Sequence, residues 1–162
     1  MSKLTHLNPS GEAHMVDVSA KVQTVRTAIA LAEVQLTDTV MAVLAEDTLP
    51  KGDLFATVRI AAIQGAKRCA DLIPLCHPLP LHKVSVDIDL DTDLKRLCIA
   101  VLCKTAGVTG VEMEALTGAS VGALTAYDMC KGIDKGIVIR EVRLLEKTGG
   151  KSGDWQAAGV ES

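Results

Sequence analysis

A strictly alternating stretch that leads into a turn is the feature that most restricts how this chain can fold. In residues 81–90, LHKVSVDIDL, an apolar side chain occupies every second position from 84 to 90. Successive side chains of a strand point to opposite faces, so this pattern is typical of a half-buried strand. The turn residues DTD at 91–93 and an apolar run over 94–104 follow directly. The sequence therefore predicts an antiparallel β-hairpin.

A strand and two helices are predicted before the hairpin. The apolar run over 25–36 is too continuous for a surface helix and fits a buried strand slightly better, although its alanines also favour a helix. Thr37 or Asp38 then caps a short helix that ends near residue 45. The first long helix is predicted over 53–72. Its apolar stripe consists of Leu54, Val58, Ala61, Ala62, Gly65 and Cys69.

A second long helix and a last strand follow the hairpin. The sequence 109–112, TGVE, matches a capping box that opens a helix over 110–131, and the last strand covers 137–146. The predicted order is βαββαβ with a short extra helix, which is the ferredoxin-like arrangement of an α+β fold. Its helices cover one face of an antiparallel sheet, and an oligomer would cover the other face. We divide the chain into an N-terminal arm (1–20), a ferredoxin-like catalytic domain (21–147) and a Gly/Lys-rich flap and tail (148–162).

Composition narrows the class of protein. The 162 residues, 48% of them hydrophobic, suffice for one domain with a sizeable core. The chain lacks an apolar run long enough for a membrane span and a signal-peptide layout, so we predict a soluble, cytoplasmic protein without a membrane partner. A net charge of −3 argues against a nucleic-acid partner. Five cysteines without a CxxC motif favour neither a disulfide framework nor a zinc site.

The octet 71–78, DLIPLCHP, forms a rigid corner between the first long helix and the hairpin. Pro74 and Pro78 fix their own backbone and push the preceding residues, Ile73 and His77, out of the α region. A rigid segment that holds an imidazole is a candidate wall for a binding site. The simpler interpretation is an apolar connector that stops the helix.

The two ends of the second long helix carry further candidate residues. Asp128 and Lys131 lie three residues apart, hence on one face, although such a pair is also common on ordinary surfaces. At about 1.5 Å per residue, Glu112 and Asp128 would lie roughly 24 Å apart. Either the two ends serve separate purposes, or one chain supplies the beginning of the helix and a second chain supplies its end.

The segment 147–154, KTGGKSGD, looks superficially like a phosphate-binding loop. The Walker pattern would require a glycine where Leu145 stands and a helix afterwards, so we reject a P-loop. A lysine- and glycine-rich flap could still close on phosphates through its N–H groups and cations.

Six motifs in order resemble those of the cyclic pyranopterin monophosphate synthase (MoaC) family of molybdenum cofactor biosynthesis. They are HMVDVS, KGDLFATVRIA, DLIPLCHPL, GVEMEALT, YDMCK and GGKSGD, and they span most of the chain. The resemblance implies a lyase that converts 3′,8-cyclo-7,8-dihydroguanosine 5′-triphosphate to cyclic pyranopterin monophosphate and pyrophosphate. It also implies a hexamer of three dimers, with active sites at the dimer interfaces.

The resemblance also assigns site residues. It places acid–base chemistry on Lys51, Asp128 and Lys131. The substrate pocket falls on Leu75, Cys76, His77, Met113 and Glu114, with Glu112 nearby, and basic residues expected to hold the triphosphate are Arg26, Lys67 and Lys147. We expect no metal or other cofactor, and leave open whether Mg²⁺ accompanies the triphosphate.

Two other functions are compatible with parts of the pattern. A ferredoxin-like regulatory module could bind a nucleotide between subunits without converting it, because a fold alone does not imply an activity. Such a module would not need an Asp–Lys pair at a reacting centre. A zinc-dependent nucleotide cyclohydrolase would require a metal, and the cysteine spacing argues against it.

Overall fold

The computed structural model describes residues 6–159, which fold into a mixed α+β structure. The elements within these residues are, in chain order, β1 (Thr24–Gln35), α1 (Asp38–Ala45), α2 (Leu54–Lys67), α3 (Cys69–Leu72), β2 (Lys83–Asp91), β3 (Arg96–Gly107), α4 (Glu112–Cys130), β4 (Val138–Thr148) and β5 (Trp155–Gln156). The predicted strands and the short helix capped by Thr37 are confirmed within a few residues at each end.

The strands form one sheet in the order β2-β3-β1-β4-β5, and every neighbouring pair is antiparallel. The predicted hairpin is confirmed as β2 and β3, with Val86 opposite Val101. Ala30 of β1 lies on the other side of Val101. All three of these side chains are buried, so this row forms part of the core.

The two long helices pack on this sheet and against each other. Helix α4 contacts β1, β3 and β4, while α2 contacts β2 and lies along α4. Glycines allow the close approach of the helices: a Cβ added to Gly65 would lie 2.7 Å from the Cβ of Val121. The sheet positions that alternate with the buried ones, among them Ile29 and Leu31, remain only half-buried. The other sheet face is therefore less well covered.

The prediction of one continuous helix over 53–72 is wrong, because the helix is interrupted at Arg68. The N–H of Arg68 approaches the carbonyl oxygens of both Gln64 and Gly65 at 3.1 Å, which tightens the last turn. Arg68 then leaves helical geometry at φ −104° and ψ 11°, and α3 adds four more residues. Ile73 is extended, as expected for a residue that precedes a proline.

The predicted capping box at the start of α4 is also wrong. The N-terminal cap is Val111, and no side chain makes a capping hydrogen bond there. The carbonyl of Val111 accepts the N–H of Ala115 at 3.1 Å, and Thr109 lies two residues before this cap. Glu112 is consequently free of the capping role and lies with its Oε1 3.9 Å from the Nζ of Lys147.

The segment after β4 returns to the sheet. Gly149 and Gly150 both have φ +82°, which only glycine adopts readily, and they turn the chain. Lys147 then lies opposite Trp155 of β5. The division into arm, domain and tail remains a prediction. In the part of the chain described here, no helix combines the length and apolar character required to cross a bilayer.

Candidate active site

A cavity of about 550 Å³ lies where the N-terminal arm, the proline corner and the start of α4 meet. Its lining from the arm and the corner includes Val16, Val18, Lys21, Ile73, Leu75, Cys76, His77 and Leu79. Its lining from the start of α4 and the preceding loop is Thr109, Gly110, Glu112, Met113 and Glu114. The predicted pocket residues therefore share one cavity.

The proline corner fixes the imidazole in this cavity. The N–H of Cys76 donates to the carbonyl of Ile73 at 3.1 Å, which closes the turn around Pro74. The Nε2 of His77 lies 2.6 Å from the carbonyl oxygen of Val16, so Nε2 carries the proton and donates to it. The hydrogen bond orients the ring and connects the corner to the arm.

Two carboxyl groups enter the cavity from the first turn of α4. Glu114 is only 5% exposed, and burial raises the pKa of its carboxyl group, with a smaller contribution from the nearby charge of Glu112. A raised pKa makes a carboxyl group better able to hold and release a proton near neutral pH. Glu112 is more exposed and lies beside the ammonium group of Lys147.

A second cavity of about 710 Å³ adjoins the first through Lys21, which lines both. Its other basic residues are Arg26 and Lys151, and Gly150 and Ser152 complete the turn beside them. The guanidinium of Arg26 is held by the carbonyl oxygens of Gly107 and Val108 at 3.2 and 3.4 Å. Three cations around one cavity create a favourable environment for an anion.

Lys147 and Lys67 occupy different positions around these cavities. The ammonium group of Lys147 hydrogen-bonds the hydroxyl of Ser152, at the edge of the basic cavity. Lys67, at the end of α2, lines a smaller cavity of about 130 Å³ that His77 and Glu114 also line. Lys67 therefore shares this smaller cavity with His77 and Glu114 and lines neither of the two larger cavities.

A separate charged cluster lies at the other end of α4. Lys51, in the turn before α2, places its Nζ 2.9 Å from Oδ2 of Asp128 and 2.8 Å from the backbone oxygen of Asp128. Lys131 places its Nζ 2.8 Å from Oδ1 of the same carboxylate. One carboxylate thus holds two ammonium groups, one on each oxygen. All three side chains are about half exposed.

The contacts within the cluster shift the pKa values of Asp128 and Lys131. Hydrogen bonds from Lys131 and then Lys51 lower the pKa of Asp128 to about 2, so its carboxyl group is ionised at neutral pH. The hydrogen bond to Asp128 raises the pKa of Lys131. In this arrangement Lys131 is a stable cation and a proton donor, whereas a base would require a lowered pKa.

One chain does not bring the two groups of predicted residues together. Glu112 and Asp128 both belong to α4, and sixteen helical steps separate them by roughly 24 Å. The corner, the carboxyl groups and the basic cavity lie at the start of α4, while Lys51, Asp128 and Lys131 lie at its end.

The predicted site residues did not include Lys21, Val16 and Thr109, which line the first cavity, or Lys151, which lines the second, although Val16 belongs to the HMVDVS motif and Lys151 to the lysine- and glycine-rich flap. Their common feature is a position in irregular segments without a period. Within residues 6–159, no group of three or more His, Cys, Asp or Glu side chains is arranged to hold a metal ion.

A comparison with protein-family models identifies one family. The model of the MoaC family matches residues 15–150, which is most of the chain. All of the predicted site residues fall within the match, from Arg26 to Lys147. The chain therefore belongs to the MoaC family, whose members act in molybdenum cofactor biosynthesis.

Proposed function

We propose that this protein is a cyclic pyranopterin monophosphate synthase. The reaction converts 3′,8-cyclo-7,8-dihydroguanosine 5′-triphosphate to cyclic pyranopterin monophosphate and releases pyrophosphate. The observation that carries the proposal is that a chain of this family contains a cavity lined by the buried carboxyl group of Glu114, and beside it a second cavity lined by basic residues. The Lys51–Asp128–Lys131 cluster supplies the reacting groups.

The two cavities match the two halves of the substrate. A volume of about 550 Å³ is in the range of small-molecule sites and accommodates a purine-derived ring system. The carboxyl groups of Glu112 and Glu114 can accept hydrogen bonds from the amino and ring N–H groups of a guanine-derived base. Arg26 and Lys147, with Lys21, would hold the triphosphate at the basic cavity.

The lysine cluster fits the charge changes of the reaction. Forming a cyclic monophosphate requires a sugar hydroxyl to attack the α-phosphorus while the bond to pyrophosphate breaks. Negative charge then accumulates on the leaving oxygens, and a protonated Lys51 or Lys131 can stabilise it or donate a proton. Rearrangement of the rings needs further proton transfers, in which Lys131, whose pKa is raised, would act as a proton donor and not as the base. This scheme uses the chain's own cations and requires no resident cofactor.

The separation of the two groups supports a site built by two subunits. We propose that the start of α4 in one copy faces the end of α4 in a second copy, so that a two-fold dimer contains two equivalent sites. Three such dimers would form a hexamer. The antiparallel order β2-β3-β1-β4 supports a ferredoxin-like classification, and the half-buried sheet face offers further surface for association.

The test is a turnover assay with the cyclised dihydro-GTP substrate. Wild-type protein should release pyrophosphate and form the pterin product, whereas Lys131→Ala, folded to the same degree by circular dichroism, should form neither. A wild-type protein that binds the substrate without forming product would contradict the synthase and support a regulatory module. Product formation by Lys131→Ala at the wild-type rate would remove Lys131 from the mechanism.

A further inference from the structure

Two cysteines face each other across the proline corner, beside the candidate active site. The Sγ atoms of Cys69 and Cys76 are 3.9 Å apart. Cys69 opens α3, and Cys76 follows the turn at Pro74. Backbone hydrogen bonds connect the two: the carbonyl of Cys69 accepts the N–H of Ile73 at 2.9 Å, and the carbonyl of Ile73 accepts the N–H of Cys76 at 3.1 Å. The local fold itself therefore keeps the thiols together.

The two thiols differ in their exposure. Cys69 is 1% exposed, and the hydroxyl of Thr117 on α4 donates to its Sγ at 3.5 Å. Cys76 is half-buried and lines the cavity that contains His77. A small molecule in the cavity can consequently reach the thiol of Cys76, and Cys69 is adjacent but shielded.

We propose that Cys69 and Cys76 form a dithiol that a hydroperoxide oxidises to a disulfide. The thiolate of Cys76 attacks one oxygen of hydrogen peroxide, the O–O bond breaks, and Cys76 becomes a sulfenic acid as one water molecule leaves. Cys69 then attacks the oxidised sulfur, the S–O bond breaks, and a second water molecule leaves. Two thiols and one peroxide thus give one disulfide and two water molecules.

The surroundings of the pair determine how fast this reaction is. Burial raises the pKa of the Cys69 thiol to about 12 and also raises the pKa of Cys76. Since the thiolate is the reactive form, both residues react slowly at neutral pH. We therefore expect the dithiol to be oxidised slowly, during lasting exposure to peroxide, and not to act as a rapid peroxide scavenger.

Oxidation would alter the candidate active site. A disulfide requires the sulfur atoms to approach from 3.9 Å to about 2.0 Å, so one or both side chains must move, and Cys76 is the less buried of the two. Cys76 precedes His77, whose imidazole is held by Val16. We expect the disulfide to change the cavity wall at this position, and dithiothreitol to reverse the change.

The experiment detects the disulfide itself by peptide mass, and its result does not depend on the proposed synthase activity. Folded wild-type protein is treated with hydrogen peroxide, and is then alkylated with iodoacetamide under denaturing conditions, which expose the buried Cys69, and digested with trypsin. Cleavage after Arg68 and Lys83 places both cysteines in the peptide 69–83. The expected product is this peptide without alkyl groups and with two hydrogen atoms fewer than its dithiol form. Reduction with dithiothreitol before alkylation should restore both alkyl groups.

Two variants and a control complete the test. In Cys69→Ser, Cys76 should be trapped as a dimedone adduct of its sulfenic acid, and in Cys76→Ser the buried Cys69 should remain reduced. Cys98→Ser, altered at a half-buried position of β3, should form the disulfide as wild type does. Wild-type peptide that stays fully alkylated while Cys98 becomes oxidised, or that carries overoxidised Cys76 without a disulfide, would overturn the proposal.

Discussion

The ammonium group of Lys51 contacts Asp128 twice, at 2.8 Å from its backbone oxygen and at 2.9 Å from its carboxylate. These contacts attach the turn before α2 to the last turn of α4. Lys131 occupies the remaining carboxylate oxygen, so the two cations are positioned before any substrate arrives. Such preorganisation is what a site needs to stabilise charge that develops during a reaction.

Replacing Asp128 should test whether this arrangement matters for turnover. In Asp128→Asn the two ammonium groups lose their shared counter-charge and repel each other, and we expect turnover to fall at least about 100-fold. The thermal unfolding midpoint should hardly change, because the pair is exposed. Asp38→Asn is a matched control, since Asp38 pairs with Lys95 at 2.6 Å near the start of α1. Wild-type turnover in Asp128→Asn would contradict the assignment.

The protonation of Asp128 can be followed by carbon-13 NMR. Its lowered pKa, about 2 against an ordinary 3.8, means that the cluster stabilises the fold above the ordinary value and loses that contribution as pH falls toward 2. We expect the carboxyl group of wild type to be still ionised at about pH 3. In Lys131→Ala its midpoint should move up toward 3.8. A wild-type midpoint already at the ordinary value would show that the cluster does not form in solution.

Glu114→Gln should lose turnover but gain stability at neutral pH. Burial raises the pKa of Glu114 in the folded state above its ordinary value of 4.5. Ionisation of the buried carboxyl group therefore lowers the stability of the fold as pH rises above 4.5, and this loss of stability is absent below 4.5. The variant should therefore unfold at a higher temperature than wild type at about pH 7, and the advantage should disappear in acid. Thermal unfolding at several pH values measures this. If Glu114→Gln were less stable than wild type at neutral pH, the prediction that ionised Glu114 destabilises the fold would be contradicted.

The close contact between α2 and α4 predicts an effect on folding. In Gly65→Ala the new Cβ would lie 2.7 Å from the Cβ of Val121, so the helices must separate, at a cost of about 1–3 kcal/mol in the free energy of unfolding. Gly132→Ala, where no atom lies within 4 Å, should change this free energy by less than about 0.5 kcal/mol. Urea unfolding of both variants gives the comparison, and equal effects would argue against the close helix contact.

Regular elements could be predicted well because their periods appear in the sequence. The alternation that ends at Leu90 predicted β2, and Thr37 predicted the start of α1 through its hydroxyl group. The interruption at Arg68 could not be predicted, because both segments around it have good helix formers. The TGVE pattern at 109–112 also misled: it is typical of a capping box, but the cap is Val111 and no side chain makes a capping hydrogen bond there.

The candidate site, too, could be predicted from the sequence only in part. Motifs identified residues such as His77 and Asp128. The rise per residue of an α-helix already predicted that the two ends of α4 lie too far apart to share one site within a chain. The position of Lys21 between two cavities depends on how the arm crosses the corner, and no local pattern encodes that path. The raised pKa of Lys131 also required the structure, because it depends on the hydrogen bond between its ammonium group and the carboxylate of Asp128.

Subunit complementation tests the central claim, a synthase site shared between two copies, most directly. Asp128→Asn, altered at the end of α4, and Glu114→Gln, altered near its start, are co-expressed with different tags, and hybrid oligomers are purified through both tags. Each hybrid dimer would contain one intact site of its two, and random pairing makes about half of the dimers in a doubly tagged hexamer hybrid, so turnover should return to roughly a quarter of the wild-type value. A hybrid of Asp128→Asn and Lys131→Ala, both altered at the same end, should stay inactive. Hybrids of the first pair that are as inactive as either variant alone would contradict the shared site.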